Sequence, residues 1–306
     1  MNLTRQFAKL RASEWLLVTY FAYVALISPF FPDRPHLKLQ PVFALLAAFL
    51  LLSLVALYEQ QSRFAFAISH VRDWLPILLT LAAFREMELF LPARYDLSYE
   101  NTWAAQDHVL LATCHVRAFI ESLGKLIPFY LELCYLLVYG LPAYCVAVLY
   151  SRHKRLSIDR FLLVYLAGTL AAYALFPYFP TQPPRLAFAG VDEPSAATWV
   201  RHLNLYVLSK ATIHSGVFPS AHVSSAFSAA WAMFLVLPKP KVFGFALLVY
   251  AISVSIATVY GRYHYSADVL SGFALSLLAG VLCLYLHSRS SASRQFPTLV
   301  SPTPAS

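Results

Sequence analysis

Eight stretches of this 306-residue chain are each apolar for about the length of a membrane span, and few folds accommodate that. They cover residues 15–31, 40–58, 71–91, 127–150, 161–179, 223–237, 242–260 and 266–287. A hydrocarbon core about 30 Å thick is crossed by roughly 20 helical residues, and inside it each backbone N–H and C=O must find a partner within the protein. Strands of a β-barrel would alternate apolar and polar residues, which these runs do not do. The sequence therefore predicts an all-α, polytopic membrane helical bundle of about eight transmembrane helices. Composition agrees. With 59% hydrophobic and 12% charged residues and a mean hydropathy of +0.60, too little polar surface remains to cover a soluble globule. Two runs are less regular: the third carries Arg85, Glu86 and Glu88 toward its outer end, and the sixth is short unless its helix starts inside the preceding "PSAH".

The net charge of +8 could suggest a nucleic-acid binder, but its placement is topological. Lys and Arg collect in short loops on the cytoplasmic side of spans. Here they sit in "SRHKR" after residue 150, in "PKPK" before residue 242, at Arg289 and Arg294 after the last run, and at Arg5, Lys9 and Arg11 before the first. Both termini are then cytoplasmic, in keeping with an even number of crossings, and no nucleic-acid partner is expected. The first run follows basic residues as a signal peptide does, yet it exits through "SPFFPD" without a small-x-small cleavage site and reads as a retained span. The polar stretches 90–126, 180–222 and 261–265 fall on the extracytoplasmic face. Within the first of these, "AQDHVLLATCHVRAFIESLG" has helical apolar spacing with interleaved charge, which predicts a helix lying in the interface. Cys114, Cys134, Cys145 and Cys283 lack paired spacing and read as free, buried thiols.

Three polar clusters end on that outer face: "PTQPPR" with Arg185, "PSAH" with Ser220 and His222, and "RYHYSAD" with Arg262, His264 and Asp268. Each abuts the end of one of the last four runs, which are hairpin neighbours, so the clusters can converge. His264 and Asp268 are four residues apart, which on a helix puts them on one face. The aspartate can accept a hydrogen bond from one imidazole nitrogen and leave the other as a nucleophile. His222 suits protonation of a leaving alkoxide, a task for a group with a pKa near neutrality. Arg185 and Arg262 offer planar, permanently charged donors to phosphate oxygens. Pro219 and Ser220 read as a helix start, where free N–H groups and the helix dipole favour an anion. A His-x-x-x-Asp pair with a second histidine also suits zinc, but two arginines beside a cation are unfavourable. No metal and no cofactor is expected.

"FPSAH" followed some 40 residues later by "YGRYHYSADVLSG" resembles the type 2 phosphatidic acid phosphatase superfamily, and within it the branch that includes bacterial lipid phosphatases and inositol phosphorylceramide synthases. The resemblance covers roughly residues 71–287 as a six-helix catalytic core, which leaves 1–70 as two accessory helices and 288–306 as a disordered cytoplasmic tail. By position it implies His264 as the nucleophile that forms a phosphohistidine, Asp268 as the residue that orients it, and His222 as the acid for the leaving group and later the base for water. Arg185 matches the arginine of the first motif and Ser220 the phosphate-binding serine, with Ala221 where the family has glycine. Two family residues are missing. Tyr178 stands where a lysine precedes the first arginine, and Thr258 where an arginine precedes the nucleophile. Arg262 is the candidate replacement, and Lys210 and His214 are candidates to supply further charge. Arg85, Glu86, Glu88 and Glu132 are expected either to form internal ion pairs or to line a headgroup pocket.

The resemblance thus implies a metal-independent enzyme that hydrolyses a lipid phosphate or diphosphate at the extracytoplasmic face of a bacterial inner membrane, with the bilayer and the lipid as its partners. A phosphotransferase passing the headgroup to an alcohol would use the same residues. A non-catalytic transporter or scaffold would use them as a gate.

Overall fold

A computed structural model of the protein describes residues 10–34, 37, 39–92, 94–211, 213 and 216–293. Each of the eight apolar runs is helical, and no strand occurs among the described residues. The helices are α1 Ala12–Ile27, α2 Gln40–Gln61, α3 Ala65–Glu86, α4 Ser98–His108, α5 Val116–Ser122, α6 Leu126–Leu137, α7 Leu141–Ser151, α8 Ile158–Leu175, α9 Trp199–Ala211, α10 Ala221–Val236, α11 Val242–Tyr260 and α12 Ser266–Ser293. A 3-10 turn, Val138–Gly140, joins α6 and α7 into one crossing element.

Six segments are long and apolar enough to cross a membrane: Ala12–Phe30, Gln40–Gln61, Leu126–Ser151, Arg155–Leu175, Val242–Tyr260 and Ser266–Cys283. The remaining two predicted spans are α3 and α10, each set apart for a physical reason. The irregularity of α3 is not confined to its outer end, because the helix starts at Ala65 and also holds Arg72 and Asp73. Both are buried. Arg72 donates to Glu14 at 2.8 Å and to Glu59, while Asp73 accepts from Arg11 at 2.6 Å, from Arg155 at 2.7 Å and from Tyr150. An unpaired charge here would cost several kcal/mol. The completed network ties α1, α2, α3, α7 and the turn before α8 together at the end of the bundle remote from "PSAH". The boundary proposed at residues 70 and 71 falls inside α3.

Helix α10 begins inside "PSAH", with Ser220 as its N-cap, and is 16 residues long. Alanines and serines make up half of its residues, and most of the helix is buried against α8, α11 and α12. In lipid, where burial of apolar area drives little association, small side chains let helix backbones approach and pack. Two glycines complete the fit. A Cβ at Gly168 of α8 would run into the Ser228 hydroxyl, and one at Gly272 of α12 would collide with the Ser220 carbonyl oxygen.

Elsewhere the structure departs from expectation. The stretch predicted as one interfacial helix is broken into α4, a π turn over Val109–Thr113 and α5, with His115 in the left-handed region between the last two. Cys114 lies in that break and is exposed rather than buried, and Cys283 is half-buried. Helix α12 continues to Ser293, so the first six residues of the predicted disordered tail are helical. Arg5, Lys9 and Arg294 lie outside the described residues.

The Gly272 contact is with backbone, which cannot rotate away. Gly272→Ala is expected to cost about 1–3 kcal/mol and to lower the melting temperature of the detergent-solubilised protein. Gly280→Ala, whose new Cβ meets only Trp231 at 3.6 Å, should leave it unchanged.

Candidate active site

The loop 261–265 between α11 and α12 carries Arg262 and His264. It begins with Gly261 capping α11 and continues with Arg262 in the left-handed region, φ +60°. A non-glycine residue holds that conformation only where its surroundings fix it, and two buried acids do so. Asp107 of α4 pairs with Arg262 Nη1 at 3.2 Å and accepts from the Ser266 N–H at 3.1 Å and the Ser266 hydroxyl at 2.6 Å. Burial pushes the Asp107 carboxyl above its usual range, against the pull of Ser266 and Arg262. Glu132 of α6 accepts from Tyr263 at 2.6 Å, from Arg201 at 2.9 Å and from the Asn204 amide at 2.7 Å, and Arg201 also reaches the Gly261 carbonyl at 3.3 Å.

The three clusters converge through the backbone. The Arg185 N–H donates to the Arg262 carbonyl at 3.1 Å, and the Ser220 N–H donates to the Asp268 carbonyl at 3.0 Å. His222, in the first turn of α10, is thereby set beside His264, its Nδ1 3.2 Å from His264 Nε2. The His222 ring stacks on Tyr135 and meets Tyr139 edge-on. His264 Nδ1 lies 3.0 Å from the Val217 carbonyl oxygen and 3.2 Å from Asp268 Oδ2. A carbonyl oxygen can only accept, so Nδ1 carries the proton and Nε2 presents its lone pair. Nε2 can then only accept in turn, which places a proton on the facing nitrogen of His222. Burial, with the nearby Arg185 charge, pushes His264 down from 6.5 to about 3, which keeps its Nε2 lone pair free.

A family model described as the PAP2 superfamily matches residues 112–282, more than half of the chain. The chain belongs to the PAP2 superfamily. That membership points to a phosphatase-type hydrolase of the membrane. A PA-phosphatase related-family protein of Dictyostelium discoideum is 36% identical over 62 residues, a match covering 20% of this chain and 11% of that protein. The chain thus matches only about a tenth of that relative's length. No solved structure matches.

Within this PAP2 fold the predicted site residues part into two groups. His222, His264, Asp268, Ser220 and Arg185 come together. The His264–Asp268 contact does not lie on a helix face, however: His264 precedes α12 by two residues, and Asp268 turns back over the helix start, also accepting from the Tyr265 N–H at 2.9 Å. Ser220 is fully buried and its hydroxyl oxygen caps α10 by accepting from the Val223 N–H at 3.3 Å. Arg262 is 0% exposed and directed to Asp107, where it fixes the loop. Lys210 is exposed at the end of α9, and His214 lies outside the described residues. Of the four charged residues read as ion pairs or pocket lining, Glu132 pairs with Arg201 and Arg85 with Glu88 at 3.6 Å, while Glu86 is buried with no hydrogen-bond partner among the described residues.

Sequence reasoning missed Asp107, Arg201, Asn204, Tyr135 and Tyr263. Arg201 and Asn204, three apart on one helix, were the detectable signal, since both reach Glu132. Asp107→Ala would leave Arg262 buried without its carboxylate, a loss of about 3–5 kcal/mol, seen as a lower melting temperature. Asp107→Asn, which keeps an acceptor for Ser266, is expected to lose less.

Proposed function

We propose that the protein removes phosphate from a lipid phosphate or lipid diphosphate at the extracytoplasmic face, through a phosphohistidine at His264 and without a metal. The observation that carries this reading is the geometry of the histidine pair: His264 Nε2 faces His222 Nδ1 at 3.2 Å while His264 Nδ1 lies against the Val217 carbonyl at 3.0 Å. Nucleophile and acid thus already face each other. A phosphoryl group entering between the rings replaces their hydrogen bond. Nε2 then attacks phosphorus, the bond from phosphorus to the lipid oxygen breaks, and that oxygen takes a proton from His222, which gains a proton from solvent as the phosphate dianion settles beside it, enters the step as the imidazolium and leaves it neutral. Neutral His222 next takes a proton from water, whose oxygen attacks phosphorus and releases His264. Arg185 and the N–H groups at the start of α10 hold the phosphate oxygens. Asp268 and the Val217 carbonyl keep the His264 proton on Nδ1 throughout. PAP2 membership supports the phosphatase chemistry, and the distribution of basic loops supports the side.

Purified protein in bilayer discs with lipid phosphates and EDTA should release free phosphate, and His264→Ala should abolish the release. Release that requires an added divalent metal, or that survives His264→Ala, would overturn the proposal. Headgroup transfer to an alcohol without free phosphate would assign the same intermediate to a phosphotransferase. His222→Ala should lose roughly 10²–10⁴-fold with an alkyl phosphate and much less with a nitrophenyl phosphate, whose leaving group needs no acid.

The pH profile tests the electrostatics. Burial first and Arg185 second disfavour protonated His264, so its lone pair persists well below pH 6.5. Removing the positive charge should relieve that penalty. Arg185→Ala is therefore expected to move the acid limb of kcat/KM to higher pH, besides weakening phosphate binding.

A further inference from the structure

We infer that a cavity beside His222 houses one hydrocarbon chain of the lipid whose phosphate meets His264, and that α3 sets the length of chain it accepts; this rests on the phosphatase reading above. The cavity measures about 590 Å³ and is walled by α3, the α6–α7 crossing, α8, α9 and the first turn of α10. His222 and Ser225 line it from α10, and Ile77, Thr80 and Leu81 from α3. A phosphate ester at the histidines therefore has its hydrocarbon beside this opening.

The walls are more apolar than their residue types imply. The hydroxyl of Thr80 donates to the Pro76 carbonyl at 2.7 Å, that of Thr169 to the Tyr165 carbonyl at 2.9 Å, and that of Ser225 to the His222 carbonyl at 3.0 Å. Each of these donors is satisfied within its own helix, and Ile77, Leu81, Phe84, Val138, Val207 and Leu208 make the lining mostly apolar. Arg85, which also lines the cavity, is ion-paired with Glu88 at 3.6 Å. At about 30 Å³ for a water-sized group, the volume is on the order of 20 heavy atoms, enough for one long chain. It also lies within the range of built ligand sites, about 300–1,000 Å³.

Helix α3 lies outside the residues matched by the family model, 112–282. Its position is rigid, because Arg72 and Asp73 on the same helix are fixed in the buried ionic network.

The test is kcat/KM for a series of straight-chain alkyl phosphates, each kept below its aggregation concentration, with the full-length protein in bilayer discs. The value should rise about fourfold per methylene and level off when the cavity is full. Ile77→Trp should bring the plateau to shorter chains and Leu81→Ala to longer ones, with butyl phosphate hydrolysis unchanged in both and serving as the check on folding. A flat series, or a plateau that neither variant moves while butyl phosphate is still hydrolysed, would overturn the inference and leave the phosphatase reading standing. Failure of the unaltered protein to hydrolyse any phosphate ester would overturn that reading, and this inference with it.

Discussion

Asp107 accepts from Arg262 and from both donors of Ser266, and so holds the two ends of the short segment that carries His264. Most of what distinguishes this bundle from a stack of apolar helices depends on that carboxylate and on Glu132, which holds Tyr263 and Arg201 from the other side. Charges so deeply buried are tolerated only when paired and hydrogen-bonded, because desolvation costs several kcal/mol per ion. The same requirement gives the loop its shape. Arg262 keeps a left-handed backbone because its side chain is tied to α4 while its carbonyl is occupied by the Arg185 N–H. Positioning of the first arginine motif and of the histidine thus follows from one set of interactions.

The second half of the site comes from α10, and there the means are steric. A helix of alanines and serines lets α8 and α12 approach until backbone meets backbone, with Gly272 against the Ser220 carbonyl. The Ser220 N–H to Asp268 carbonyl bond then joins the start of α10 to the first turn of α12. His222 is two residues from one partner of that bond and His264 four residues from the other. Their 3.2 Å separation is therefore set by short lengths of chain from a fixed backbone contact, not by long flexible side chains.

Apolar runs were legible because apolarity is a local property: all eight became helices, and the start of α10 inside "PSAH" followed from proline and serine capping chemistry. Pairings were not legible, because they are long-range. Asp107 and Arg262 are 155 residues apart, and Glu132 and Tyr263 are 131 apart. Arg262 was assigned to phosphate because the motif lacked a cation, yet nothing in the sequence announced that a carboxylate on α4 would claim it. The pairing of Arg72 and Asp73, which lie inside the predicted run 71–91, was missed likewise, since their partners lie far away in sequence. Spacing of four correctly brought His264 and Asp268 together but for a different reason: the aspartate reaches back across a helix start, where it also satisfies the Tyr265 N–H.

The commitment of Arg262 to Asp107 changes how a phosphate would be held. On the phosphatase reading, a dianion would meet the His222–His264 pair and the half-buried Arg185, rather than a cluster of guanidinium groups. The Ser220 hydroxyl oxygen is occupied in capping, so the remaining attraction comes from backbone N–H groups and the dipole at the start of α10. Such donors are fixed by the helix itself and do not reorganise during reaction, which favours charge that develops in the transition state. A less cationic site also releases its product anion more readily. The sparse charge that looked like a departure from the family's pattern is then compatible with turnover, because the histidines carry the chemistry and the helix start carries the binding.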